Sequence, residues 1–179
     1  MRKPPQFQAK LGTTLLETMV VLSIVAIMAN LALFHLQPFL AQTRLENYSH
    51  LIKRTLNLAR NNAVSLNSQI TVCALKSSVC DGSRWHEGIT VFVDKGDVGV
   101  FGSDDTVMFV SEAINKSDKL TYPRNAITYR PDGTPRGFNN GTFIYCADYK
   151  SANLPGIAIS VSTIGRITLK DTQECQNSI

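Results

Sequence analysis

No residue type dominates this chain and no short unit recurs in it. Glycine (11) and proline (7) are near ordinary usage over 179 residues, which excludes collagen-like, solenoid and low-complexity classes. Charge is scarce: Asp, Glu, Lys and Arg make up 18% of the chain against 44% hydrophobic residues, the reverse of a disordered tail. There is no C-x-x-C pair, and His35, His50 and His86 stand apart, so the ligand spacing of a structural zinc site is missing. A nucleophile elbow, a phosphate-binding loop and an H-E-x-x-H helix are missing too. The sequence reads as a non-enzyme that calls for no cofactor.

The little charge there is lies unevenly. The formal net charge is +4, but Arg2, Lys3 and Lys10 precede Gly12, which leaves 15 basic and 14 acidic residues, or +1, for the rest. Residues 81–112 hold seven acids and two bases, while 13–80 and 113–179 are each +3. A surplus this small does not make the whole domain a nucleic-acid binder.

What the sequence does have is one long apolar run. From Thr13 to Leu36 only Glu17 carries a formal charge, and the run exceeds the roughly 20 residues a membrane helix needs. The short basic stretch lies before it and no A-x-A site follows it, so the run is expected to persist in the mature protein rather than be removed as a secretory signal. Three leading positive charges predict a cytoplasmic amino end and an exported remainder. A carboxylate in such a helix costs about 2–3 kcal/mol even on forgiving insertion scales, so Glu17 needs either a solvated interfacial position or a partner.

The helical pattern continues past the apolar run. Leu45, Tyr48, Ile52, Leu56, Ala59, Ala63 and Leu66 recur at spacings of three and four, with Arg44, Lys53, Arg54 and Arg60 elsewhere, the signature of an amphipathic helix over 42–67 whose stripe faces a core. A single helix from Thr13 to Leu66 would be about 80 Å long at 1.5 Å per residue. Pro38 lies inside it and predicts a kink or local melting. After Ser68 the period changes to two. Candidate strands are Gln69–Ala74, Ile89–Asp94, Thr106–Val110, Ala126–Arg130, Thr142–Cys146, Gly156–Val161 and Arg166–Lys170, each β-branched or aromatic and bounded by turn residues. One long helix followed by these strands predicts an α+β fold, with the stripe packed on antiparallel sheet.

The four cysteines fall in the exported part, where oxidation pairs them. Three pairings are open; proximity in sequence favours Cys73 with Cys80 and Cys146 with Cys175. In a chain-entropy picture these are worth about 2.5 and 3.5 kcal/mol.

Leu11-Gly12 followed by Thr13-Thr14-Leu15-Leu16-Glu17 and the apolar helix resembles the leader and helix of type IV pilins and type II secretion pseudopilins. The resemblance implies a leader of residues 1–12 cut by the prepilin peptidase between Gly12 and Thr13. It also implies N-methylation of Thr13, a role for Glu17 in docking subunits, a membrane helix over 13–41 and an exported domain over 42–179. The chain departs from the family in having Thr13 where Phe or Met is usual, and in placing its proline at Pro38 rather than at the position of Phe34. Trp85, Gly88, ITVFVD (89–94), YRPDGTPRG (129–137), GTFIYC (141–146) and IAISVSTIGRI (157–167) narrow the resemblance to the branch of H-type pseudopilins and FimT and FimU minor pilins. The implied role is that of a structural subunit in the bacterial inner membrane, single-pass with a periplasmic domain, whose partners are other minor pilins or pseudopilins.

Two further readings come with this resemblance. The cysteines favour a minor pilin of a type IV pilus, in its tip or priming complex, over the alternative of a type II secretion pseudopilin. A third reading, of a different class, is DNA uptake: FimT-type relatives linked to it carry G-R-x-R, and here the stretch is Gly165, Arg166, Ile167, Thr168, so the second arginine is missing. Arg166 and Lys170 would be the DNA contacts, with Lys150, Arg136 and Arg130 to extend them, and otherwise Arg166 defaults to bonding loop carbonyls. The acidic loop Asp94–Asp105 lacks calcium-loop spacing and reads as solvated.

Overall fold

The computed structural model describes residues 14–147 and 154–177; the side chains of 32–35, 37, 176 and 177 are outside the description. The chain divides into two compact units, 1–37 and 38–179. The expectations for Gly12, Thr13 and Lys150 lie outside the described residues.

Helix α1 spans Leu15–Ser65. Thr14 opens it: its Oγ1 accepts the Glu17 N–H at 3.3 Å, and Thr-x-x-Glu is the arrangement of a capping box. Pro38 sits within the helical run and does not end it, so the local melting expected there is not seen. The far end stops at a left-handed residue, Asn67 (φ 48°). There Ser68 N–H bonds Ala63 O at 3.2 Å and Asn67 N–H bonds Val64 O at 3.4 Å, which ties off the last carbonyls in a Schellman motif.

In the second unit, α1 buries Ala41, Leu45, Ile52, Leu56, Ala59 and Ala63. Tyr48 packs partly on the same core. Leu66, expected in the stripe, is 50% exposed, because the helix ends one residue before it.

Among the described residues ten strands follow: β1 Ile70–Cys73, β2 Leu75–Lys76, β3 Val79–Cys80, β4 Thr90–Val93, β5 Thr106–Val110, β6 Lys119–Thr121, β7 Ala126–Tyr129, β8 Gly141–Cys146, β9 Gly156–Val161 and β10 Ile167–Thr172. They form one antiparallel sheet in the order β5-β4-β1-β7, a second in the order β10-β9-β8-β6, and the small β2-β3 hairpin. The α+β class holds. One core joins the helix stripe to both sheets: Ile70, Val72, Val91 and Ile127 from the first, Phe143, Tyr145, Ile159 and Val161 from the second. Trp85, fully buried, fills it edge-on to Tyr122 and Phe143 while its Nε1 donates to Arg124 O at 3.0 Å.

The disulfides are Cys73–Cys80 and Cys146–Cys175. The first closes the β2-β3 hairpin, and the second holds the C-terminal turn Glu174–Asn177 against β8. Gly156 makes room for the second: a Cβ there would overlap Cys175 Sγ and come within 2.9 Å of Tyr145 O.

Candidate functional site

In the first unit, the described residues of α1 carry large apolar side chains that are exposed. Leu15 is 77% exposed, Leu22 68% and Met28 65%, and Val20, Ile24 and Ile27 are all exposed. Glu17 lies in the first turn of this surface. Among the described residues no helix is long and apolar enough to cross a membrane.

In the second unit the stretches that carried the resemblance converge on one side chain of α1. Asp132 and Gly133 make a tight turn after β7: Asp132 Oδ1 accepts the Thr134 N–H at 2.8 Å and its hydroxyl at 2.6 Å, and Arg130 and Thr134 close it backbone to backbone. These Thr134 hydrogen bonds hold the Asp132 carboxyl below its usual range. A second turn joins β9 to β10, with Gly165 N–H on Ser162 O at 2.9 Å and the Arg166 N–H on Ser162 Oγ at 2.9 Å.

Both glycines are left-handed, at φ +75° each, and buried. Arg60, from the helix, reaches both turns: its Nε donates to Gly133 O at 3.0 Å and its Nη2 to Ile164 O at 3.3 Å. A Cβ on Gly165 would overlap Gly133 O and lie 3.1 Å from Arg60 Nε. Asp132-Gly133 and Gly165-Arg166 are thus halves of one clamp that docks two turns on the helix.

Arg166 is not the residue that bonds those carbonyls. Its side chain is exposed and, among the described residues, forms no hydrogen bond or ion pair; Arg60 does that work, and Arg166 enters the turn only through its backbone. Lys170 is exposed on β10, four residues beyond Arg166, which immediately precedes the strand. Asp171 follows Lys170 and is exposed as well. Arg130 and Arg136 lie elsewhere, around a shallow depression of about 340 Å³ lined also by Asn67, Ser68, Gln69 and Pro131, and each is engaged, Arg130 by Thr134 and Arg136 by Gln69.

A second tie from the helix had no signal in the sequence. Asp118, its side chain fully buried, receives Arg44 Nη2 at 3.2 Å and the Tyr145 hydroxyl at 2.7 Å. Burial pushes the Tyr145 phenol up, and accepting carboxylate oxygens beside it push it further. These three border a groove of about 460 Å³ with Asn47, Tyr48 and Leu51.

In the acidic loop before β5, Asp94 and Asp105 accept hydrogen bonds from neighbouring groups. Asp94 Oδ2 accepts the Thr71 hydroxyl at 2.5 Å and the Gly99 N–H at 3.0 Å. Asp105 accepts the N–H groups of Lys95 and Gly102, both at 2.8 Å. The described residues contain no cluster of three His, Cys, Asp or Glu side chains able to hold a metal ion.

Comparison with known proteins agrees with this fold. Residues 50–165 match the family described as type II transport protein GspH. The fold is similar to that of the Pseudomonas aeruginosa type IV minor pilin FimU, with a TM-score of 0.59 and 22% identity over 76% of this chain and 98% of that one. It is also similar to that of EpsH, the minor pseudopilin of the Vibrio cholerae type 2 secretion system, with a TM-score of 0.52 and 11% identity over 72% of this chain and 97% of that one. No curated protein matches the chain. The family match spans well over half of the sequence and contains both glycine turns or their edges, Arg60 and Trp85; the chain belongs to the GspH family.

Proposed function

We propose that this chain is a structural minor pilin that enters the tip or priming complex of a type IV pilus through its apolar N-terminal helix. The observation that carries the reading is the helix surface from Leu15 to Leu31, whose large apolar side chains are half or more exposed. Exposed apolar surface on that scale marks a site of membrane insertion or helix packing. In this reading the leader 1–12 is removed by the prepilin peptidase and Thr13 becomes the methylated amino terminus. The run from Thr13 to Leu36 holds the subunit in the inner membrane, its domain in the periplasm, until Glu17 pairs with a neighbouring subunit's amino group as it docks. The two disulfides favour the pilus.

The family's description favours a second reading, an H-type pseudopilin of the type II secretion system, since the same helix physics serves both machines. DNA binding through Arg166 and Lys170 is the third; both side chains are exposed and form no ion pair among the described residues, which supports it, and Thr168 in place of a second arginine weakens it.

Deletion of the gene discriminates. The pilus reading predicts loss of surface pili with protein secretion intact, restored by the native chain and not by Glu17→Ala at equal protein level. Lost secretion with normal piliation would overturn it.

A further inference from the structure

The two sheets end in four strands, and three of their outer edges are occupied, short or guarded. Residues 134–136 return along β7, with Arg136 N–H on Thr128 O at 2.7 Å and Arg130 N–H on Thr134 O at 2.9 Å. Strand β6 has only three residues. Strand β10 exposes Lys170 and Asp171, charges of the kind that keep edges from pairing.

Strand β5 is different. Among the described residues its backbone bonds only to β4. Its sequence, TVMFV, has no charge and no proline. Across the bulge opposite Val91 and Phe92, Val107 and Val110 fall on one side of the strand, 44% and 62% exposed. Phe92, opposite Val107, is buried edge-on against Phe101, and next to Phe101 in sequence Val100 bridges to Val79, the two being 40% and 50% exposed. An unguarded apolar edge is a template for another strand.

The surroundings select the partner. Asp97 and Asp104 lie exposed before β5 and Glu112 after it, with Lys95 the one exposed cation in the loop. A second copy paired antiparallel on this edge would bring the acids at the start of one β5 against Glu112 of the other, and a parallel pairing would oppose like with like. Like charges directly opposite one another destabilise a strand pair.

We propose that β5 is an interface strand on which a different, neighbouring subunit of the same filament lays an extended segment, apolar at alternate positions and flanked by Lys or Arg. This rests on the assembly reading above.

The test uses the full-length chain in living cells, with a photo-crosslinking amino acid placed at Val107, at Val110 or, to report assembly through the helix, at Ile24. Expected are adducts from positions 107 and 110 to one other pilin-like subunit, mapped by mass spectrometry to a peptide of the stated chemistry. Val110→Asp should cut the adduct from position 107 by about tenfold and leave the adduct from position 24 unchanged, whereas Val110→Thr should preserve both. Mobility on non-reducing gels confirms in each variant that the disulfides have closed. Adducts from position 24 without any from 107 or 110, adducts to a second copy of this chain alone, or indifference to Val110→Asp would overturn the β5 proposal and leave the assembly reading standing. Absence of every adduct, position 24 included, would overturn both.

Discussion

Replacing Gly165 with alanine tests the clamp that links the two glycine turns to the helix. The residue sits at φ +75°, where an L side chain costs about 1–2 kcal/mol. The added methyl would also overlap Gly133 O, the acceptor of the Arg60 Nε bond at 3.0 Å. Displacing that carbonyl forfeits a hydrogen bond from a charged donor, worth about 1.5–3 kcal/mol. Together the loss is about 3 kcal/mol, which lowers the melting temperature by about 10 °C in a domain of this size. The assay is thermal and denaturant unfolding of a soluble fragment that begins at Pro38, with disulfides intact. Gly165→Asn separates the two causes: asparagine tolerates the left-handed region, yet brings the same Cβ, so it should recover no more than about 1 kcal/mol. Ile164→Ala, at a side chain 63% exposed, should stay within about 0.5 kcal/mol of the parent. A loss under about 1 kcal/mol for Gly165→Ala, or full recovery with asparagine, would refute the clamp as described.

Other expected outcomes follow from the same contacts. Gly156→Ala places a Cβ on Cys175 Sγ, so thiol alkylation of the fragment that begins at Pro38 should find the Cys146–Cys175 pair at least partly reduced while Cys73–Cys80 stays closed; two fully formed bridges would contradict the packing. Burial raises the phenols of Tyr48, Tyr122, Tyr129 and Tyr145. For an acid whose folded pKa lies above its unfolded value of about 10, the unfolded chain loses its proton first, so stability falls as pH rises past about 10. Absorbance at 295 nm should therefore show these four ionising only as the domain unfolds, and ionisation ahead of unfolding would contradict their burial. Replacing Gly12 with leucine should leave an unprocessed membrane protein, read by its intact mass; a mature-sized product would remove the leader assignment.

Much of the fold could be read from residue spacing. The stripe from Leu45 to Ala63 announced the buried helix face, and seven strands showed as β-branched runs between turn residues. What escaped was local chemistry without a sequence mark. The β2-β3 hairpin turns on Ser77 and Ser78, at φ 46° and 72°, positions where glycine or asparagine would have been the signal. Strand β6 is too short to show a period. Leu66 fitted the stripe but lies one residue past the end of the helix, where Asn67 next turns the chain.

The candidate site divides in the same way. Asp132-Gly133 and Gly165-Arg166 were each legible as turns, yet their contact was not, because Arg60 stands 73 residues from Gly133 and 104 from Ile164 in sequence. Arg166 drew attention as the conspicuous charge in its motif, while the structural bonds came from an arginine that looked like one more polar residue on a helix. Asp118 and Arg44 show the same thing across 74 residues. Periodicity reports which face of an element is buried and says nothing of which distant polar groups meet there.

The central claim is that this subunit is built into a pilus. Mass spectrometry of sheared and purified surface pili, compared with the membrane fraction, tests it most directly. The account predicts peptides of this chain in the pili, with a mature amino terminus at Thr13. Their absence from pili, together with recovery of the chain in complexes with secretion pseudopilins, would contradict it.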